Sequence, residues 1–146
     1  MPAAPSDTSD LRATVLAALE AVSGWTESRH APELFGRDSD NMMHKAFVVG
    51  VPETVPHSRE GRQVAAQGMY AESVVEVQWA YRLRGDAQST DYSAALDAEL
   101  VVVATVKGVA DANVMVERLS RRAVAEGWVL GVSRFRVLHR YRLTVV

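Results

Sequence analysis

The chain contains no cysteine, which removes disulfide frameworks, thiolate zinc sites and cysteine nucleophiles in one step. That absence suits a reducing cytosol without fixing the compartment. No stretch approaches the roughly 18 consecutive apolar residues that a membrane helix needs. The start, MPAAPSDTSD, has neither the basic opening nor the apolar run of a signal peptide and reads as a short polar lead-in. An excess of one charge is missing too: 16 Lys+Arg stand against 18 Asp+Glu, a net charge of -2. There is accordingly no molecule-wide basic field for nonspecific nucleic-acid binding. The phosphate-loop, dinucleotide-loop, nucleophile-elbow and HExxH patterns do not occur, and there is no internal repeat or low-complexity tract. An enzyme is not expected.

What remains is a chain of 146 residues with 48% hydrophobic, 23% charged and 7% aromatic residues, the composition of one globular domain spanning 1–146. At this size about 70% of the unfolded surface is buried on folding, enough for a core without metal or disulfide staples. Leu11, Val15, Ala18, Leu19 and Val22 fall on one stripe of a 3.6-residue period, predicting a helix capped by Thr8 or Ser9 and stopped by Gly24. Residues 25–41 read as a short irregular strand and a turn. Phe47, Val48 and Val49 mark a strand that Pro52 closes. From Pro52 to Gly68 the chain has little to bury, which predicts an exposed arm at about 51–69, longer than most structureless connections.

Val75, Val77, Trp79, Tyr81 and Leu83 alternate with Glu76, Gln78, Arg82 and Arg84 along a strand from Ala71 to Arg84. A helix follows, in which Tyr92, Leu96, Leu100 and Val103 recur at helical spacing. Its β-branched end keeps a strand as competitor there, and Gly108 terminates it. Asp111 to Glu126 reads as a third helix with Ala112, Met115, Val116, Leu119 and Ala123 on its stripe, a Glu117 to Arg121 pair and Gly127 at its end. The last segment alternates Phe135, Val137, His139, Tyr141, Leu143 and Val145 with Arg134, Arg136, Leu138, Arg140 and Arg142, the pattern of a long antiparallel strand. The expected fold is α+β: a two-layer sandwich of a mostly antiparallel sheet with helices on one face and an extended arm.

Among candidate chemical groups, His30, His44, His57 and His139 are suitable metal-ligand types together with Asp38, Asp40 or Glu53. No pair has the spacing that converges two ligands, so no metal site is expected, and no cofactor. The histidines read as three in loops and one in a strand, among surface polar groups. Arg134, Arg136, Arg140 and Arg142, flanked by Arg82 and Arg84 if the two long strands pair, form a stripe that could track phosphates. The blander alternative, pairing with Glu72 and Glu76 or with acids of another subunit, is favoured because no aromatics interleave with these arginines for base stacking.

With the opening LRATVLAALE (Leu11–Glu20), the long strand Ala71–Arg84, two helices after it and the closing strand Phe135–Leu143, the order of elements resembles the tail-terminator (tail-completion) proteins of long-tailed bacteriophages. The extended segment His44–Gly68 departs from that pattern. The resemblance implies a structural virion protein, assembled in the host cytoplasm. Its subunits would form a six-fold ring on the head-proximal end of the tail tube, stop the tube protein from polymerising and dock the head-completion proteins of the neck. No membrane takes part, and nucleic acid enters only as DNA passing through the lumen. The contact residues expected on this view are Pro52, Val55, Pro56, Arg59 and Arg62 of the arm, with Arg82, Arg84, Arg134, Arg136, Arg140 and Arg142. The alternatives are a neck adaptor one layer nearer the portal and a nucleic-acid binding module built on the same arginines.

Overall fold

Helix α1 (Thr8–Glu20) forms where the periodicity puts it, with Leu11, Val15 and Leu19 buried. Each such side chain contributes about 1.5–3 kcal/mol by leaving water. The cap is one residue earlier than the sequence suggests: the Asp7 carboxylate accepts the Asp10 N–H at 2.7 Å, satisfying a first-turn donor. The helix closes on Ala21 in a right-handed conformation. Gly24, at φ 89°, shapes the turn beyond it rather than the helix end. The computed structural model describes residues 7–28, 43–56, 69–109, 113–124 and 127–141.

The remaining elements are β1 (Thr26–Glu27), β2 (Ala46–Pro56), β3 (Met69–Arg82), α2 (Gln88–Lys107), β4 (Asn113–Val124) and β5 (Trp128–Tyr141). The strands form one sheet in the order β1-β2-β3-β5-β4. Only the short β1–β2 pairing is parallel, and the rest is antiparallel. Both helices share one apolar cluster with a single face of the sheet, including Phe47, Val49, Val75, Val77, Trp79, Val129, Phe135 and Val137. The fold is α+β, a two-layer arrangement with its helices on one side.

Three expectations fail for local reasons. The segment expected to be a third helix is strand β4, hairpinned to β5. A bulge shifts the pairing between Val116 and Arg118, so Val114 and Val116 face the helices before it and Leu119, Arg121 and Ala123 after it. One inserted residue changes the phase of a two-residue alternation, and the result imitates helical spacing. Pro52 does not close β2. A bulge between Gly50 and Glu53 absorbs it and pairing with β3 resumes through Pro56. This is tolerated because β2 has no outer strand beyond Phe47 among the described residues, and an edge can spare a donor. Within α2 the line Tyr92, Leu96, Leu100, Val103 is not the buried one. Ala95, Ala98, Val102 and Val106 face the core, with Asp91 and Glu99 beside them. Gly108 does end the helix, and Gly127, at φ 81°, turns β4 into β5 instead of ending a helix.

The opposite face of the sheet divides in two. Ala46, Val48, Ala80, Trp128 and Leu130 form a small buried cluster at one end. Charged side chains occupy the middle. Of the expected arm, residues 51–56 and 69 belong to β2 and β3, and 57–68 lie outside the described residues.

Candidate functional site

The β3–β5 register decides the fate of the arginine stripe. Arg134 stands opposite Glu76 and Arg136 opposite Val74, whereas Arg82 stands opposite Trp128. Six residues of strand, roughly 20 Å at about 3.4 Å each, separate Arg82 from the Arg134 position. The two long strands do pair, but the six arginines do not form one stripe. Arg82 lies over the Trp128 ring, 6.0 Å from its centroid. Arg84 is beyond the strand. Arg140 lies over the Tyr70 ring at 6.0 Å, and Arg142 is outside the described residues.

Arg134 and Arg136 are clamped by three carboxylates. Glu117, the bulged residue of β4, accepts Arg134 Nε at 2.8 Å and Arg136 Nε at 2.9 Å. Glu72 accepts a second bond from Arg136 at 2.9 Å, and Glu76 pairs with Arg134. Hydrogen bonding by Arg134 in the first place, and by Arg136, holds the Glu117 carboxyl below its ordinary range. The same contacts raise both guanidinium groups, led by Glu117 for Arg134 and by Glu72 for Arg136. With three carboxylates against two guanidiniums, the patch does not present the positive surface that a phosphate backbone requires. The intramolecular pairing weighed from the sequence is what forms, with Glu117 as a partner that the helix assignment had hidden.

A cleft of about 370 Å³ opens at the far end of the sheet, lined by His44, Tyr81, Arg82, Arg84 and Asp91. Asp91, in the first turn of α2, accepts three bonds from Arg84: from its backbone N–H at 2.8 Å, Nε at 2.9 Å and a terminal nitrogen at 2.9 Å. These bonds hold the Asp91 carboxyl below its usual value and raise the Arg84 guanidinium. His44 Nδ1 accepts the Arg82 N–H at 3.1 Å, and the ring meets Tyr81 edge to face at 4.5 Å. Burial, aided by Lys45, lowers the His44 pKa. The Asp91 carboxylate and His44 Nδ1 are therefore engaged in tying the end of β3 to α2 and to the turn before β2. The sequence signal for this clamp was an acid seven residues after an arginine across the Gly85-Asp86 turn, too common a pattern to stand out.

His139 is buried rather than at the surface. Its Nδ1 lies 2.7 Å from the Arg140 carbonyl oxygen. A carbonyl only accepts, so Nδ1 carries the proton and Nε2 accepts the Ser73 hydroxyl at 2.6 Å. The chain of contacts continues from Ser73 to Thr54 at 2.8 Å and to Thr8 at 3.4 Å, linking β5, β3, β2 and α1. Burial pushes the His139 pKa down. Ser73 is fully buried, which leaves its hydroxyl out of reach of any solvent-borne substrate. His30, His57, Asp38 and Asp40 lie outside the described residues, and among the described residues no three His, Asp or Glu side chains come together as metal ligands.

Several apolar side chains remain exposed on the surface. Pro52 and Val55 of β2 are exposed, Val55 by 49%. Pro56 ends that strand, and Arg59 and Arg62 lie outside the described residues. Leu100 at 62%, Met115 at 59% and Tyr92 at 38% are exposed as well, and none of these three was singled out as a contact residue from sequence. No helix among the described residues is long and apolar enough to cross a membrane. No protein-family model matches the chain, and a comparison with curated proteins found no match.

Proposed function

We propose that this chain is a structural subunit of a bacteriophage tail, a terminator whose copies close into a ring on the head-proximal end of the tube, stop its growth and offer a docking surface to the neck. The observation that carries it is the open-ended sheet. Among the described residues β4 pairs with β5 alone, and β2 beyond Phe47 pairs with β3 alone, with the Arg12 side chain donating to the Val49 carbonyl at 2.8 Å. These open edges lie at opposite ends of the strand order. A subunit with two different unsatisfied sides assembles head to tail, and head-to-tail contacts close into rings when the rotation permits. Strand addition at such edges is a common route to assembly.

The element order supports the same reading in its first helix, its long antiparallel pair β2 and β3, and its closing strand. It departs at residues 113–124, where a strand stands in place of the second of two helices. The engagement of Asp91, Glu117 and the buried Ser73–His139 pair in internal contacts also favours a structural role. The test is a polymerisation assay. The chain is added to assembling tube protein from the same genome and tube lengths are measured by electron microscopy. Capping shortens or halts growth at substoichiometric amounts; unchanged lengths with no protein retained on tubes contradict the reading.

A further inference from the structure

Thr8, Thr54, Ser73 and His139 form a hydrogen-bond relay with a definite direction. Thr54 stands opposite Ser73 between β2 and β3, and Ser73 stands opposite Val137, two residues before His139 on β5. The Arg140 carbonyl accepts the Nδ1 proton of His139 at 2.7 Å, so Nε2 is an acceptor and takes the proton of the Ser73 hydroxyl at 2.6 Å. Ser73 then has no proton left for Thr54 and accepts from it at 2.8 Å. Thr54, its own proton committed, accepts in turn from Thr8 at 3.4 Å. Every bond therefore points the same way, from the start of α1 to the buried ring.

A hydroxyl donates and accepts at once, whereas a ring nitrogen does one or the other according to its protonation. When His139 takes a proton from solvent, Nε2 becomes a donor and Ser73 must accept from it. The Ser73 proton then turns to Thr54, the Thr54 proton turns to Thr8, and Thr8, half-buried at the first residue of α1, turns its own toward water. We infer that the relay is a pH-sensitive switch, which reverses direction with its bonds kept when His139 is protonated and so carries the state of a buried ring to the start of α1. Without the reversal, a buried imidazolium would lack an acceptor at Nε2, which is costly. The charge that bears on the ring is Asp7 of α1, which favours the protonated form. β3 sets the uncharged Ala71 and Ser73 beside it, and β2 the uncharged Thr54. β4 begins at Asn113, opposite Leu138. The Arg140 guanidinium lies over the Tyr70 ring, and Lys107 at the end of α2 is exposed.

The experiment is NMR of the isotope-labelled full-length chain, titrated downward from neutral pH, for wild type, Thr54→Val and Thr54→Ser. Thr54 meets the ring through Ser73, so Thr54→Val leaves the Ser73–His139 bond in place and removes the acceptor that the reversed relay needs. In wild type the neutral ring is expected to carry its proton on Nδ1, and the Thr8 signals to move at the His139 midpoint while the chain is still folded. The midpoint is expected to shift to lower pH in Thr54→Val and to stay close to wild type in Thr54→Ser, which keeps the hydroxyl. A packing role for Thr54 would not move it. A neutral ring protonated at Nε2, Thr8 signals that ignore the midpoint, or a wild type that unfolds before the ring titrates overturns the inference. So do equal midpoints in wild type and Thr54→Val, or a Thr54→Ser midpoint shifted as far as that of Thr54→Val. The wild-type readouts decide the matter where Thr54→Val does not fold.

Discussion

Trp79 occupies the space that a side chain on Gly131 would need. The two residues face each other across β3 and β5, and a Cβ on Gly131 would stand 2.0 Å from the indole Cε2. The indole N–H donates to Ser133 at 3.2 Å, and the ring is fully buried. It therefore has no easy way to move. Gly131→Ala is expected to cost about 1–3 kcal/mol through overpacking, lowering Tm by about 2–4 °C per kcal/mol. Gly50→Ala, where nothing lies within 4 Å of the new carbon, is expected to leave Tm unchanged or slightly raised. Thermal unfolding of both variants checks the pair.

His139 makes stability depend on pH. Its folded pKa is pushed below 6.5 by burial, whereas the unfolded chain titrates near the ordinary value. The unfolded state therefore binds more protons as pH falls, and the contribution present above pH 6.5 is lost as pH drops toward the depressed folded value. His139→Gln is expected to flatten the fall in Tm over that window. A residual slope remains from His44, which burial lowers too. Asp91 and Glu117, whose folded values are lowered, add a second loss only in the acidic range of ordinary carboxylates. Tm against pH for wild type and variant separates the two windows.

Arg121 neutralises Glu99, a carboxylate buried between α2 and β4. Arg121→Ala leaves that charge without its partner and is expected to cost about 1–3 kcal/mol. Urea unfolding measures the loss. A change within experimental error would contradict the role given to this pair in holding α2 over the edge strand.

Arg134 and Arg136 are expected to give no affinity for DNA, since Glu72, Glu76 and Glu117 already pair with them. Retention on DNA at low salt is expected to be negligible and the same in the Arg134→Ala, Arg136→Ala double variant. Strong retention that falls steeply with salt and disappears in the variant would favour a nucleic-acid module instead.

The fold class was legible wherever periodicity ran uninterrupted, as in Leu11, Val15 and Leu19 of α1 and in the alternation of β3 and β5. It was illegible at the two bulges. The bulged Glu117 made β4 resemble a helix, and the bulge after Gly50 carried β2 past a proline. The packing of α2 was half visible. Tyr92, Leu96, Leu100 and Val103 declared themselves as a stripe, but sequence spacing does not say which of two apolar stripes on α2 meets its own sheet. Ala95, Ala98, Val102 and Val106 form the buried line, and Val103 packs against the same core beside them. The Ser73–His139 pair depends on strand register, which pattern alone does not supply, and the Arg84–Asp91 clamp depends on how the turn at Gly85 and Asp86 folds back on α2.

The account turns on whether copies of this chain close a tube. The most direct measurement is electron microscopy of tail tubes assembled from the tube protein of the same genome with this chain present, averaged end by end. The expected result is a six-fold ring of this chain at one end only, with growth stopped there. Bare tube ends alongside a chain that stays monomeric in the supernatant would contradict it.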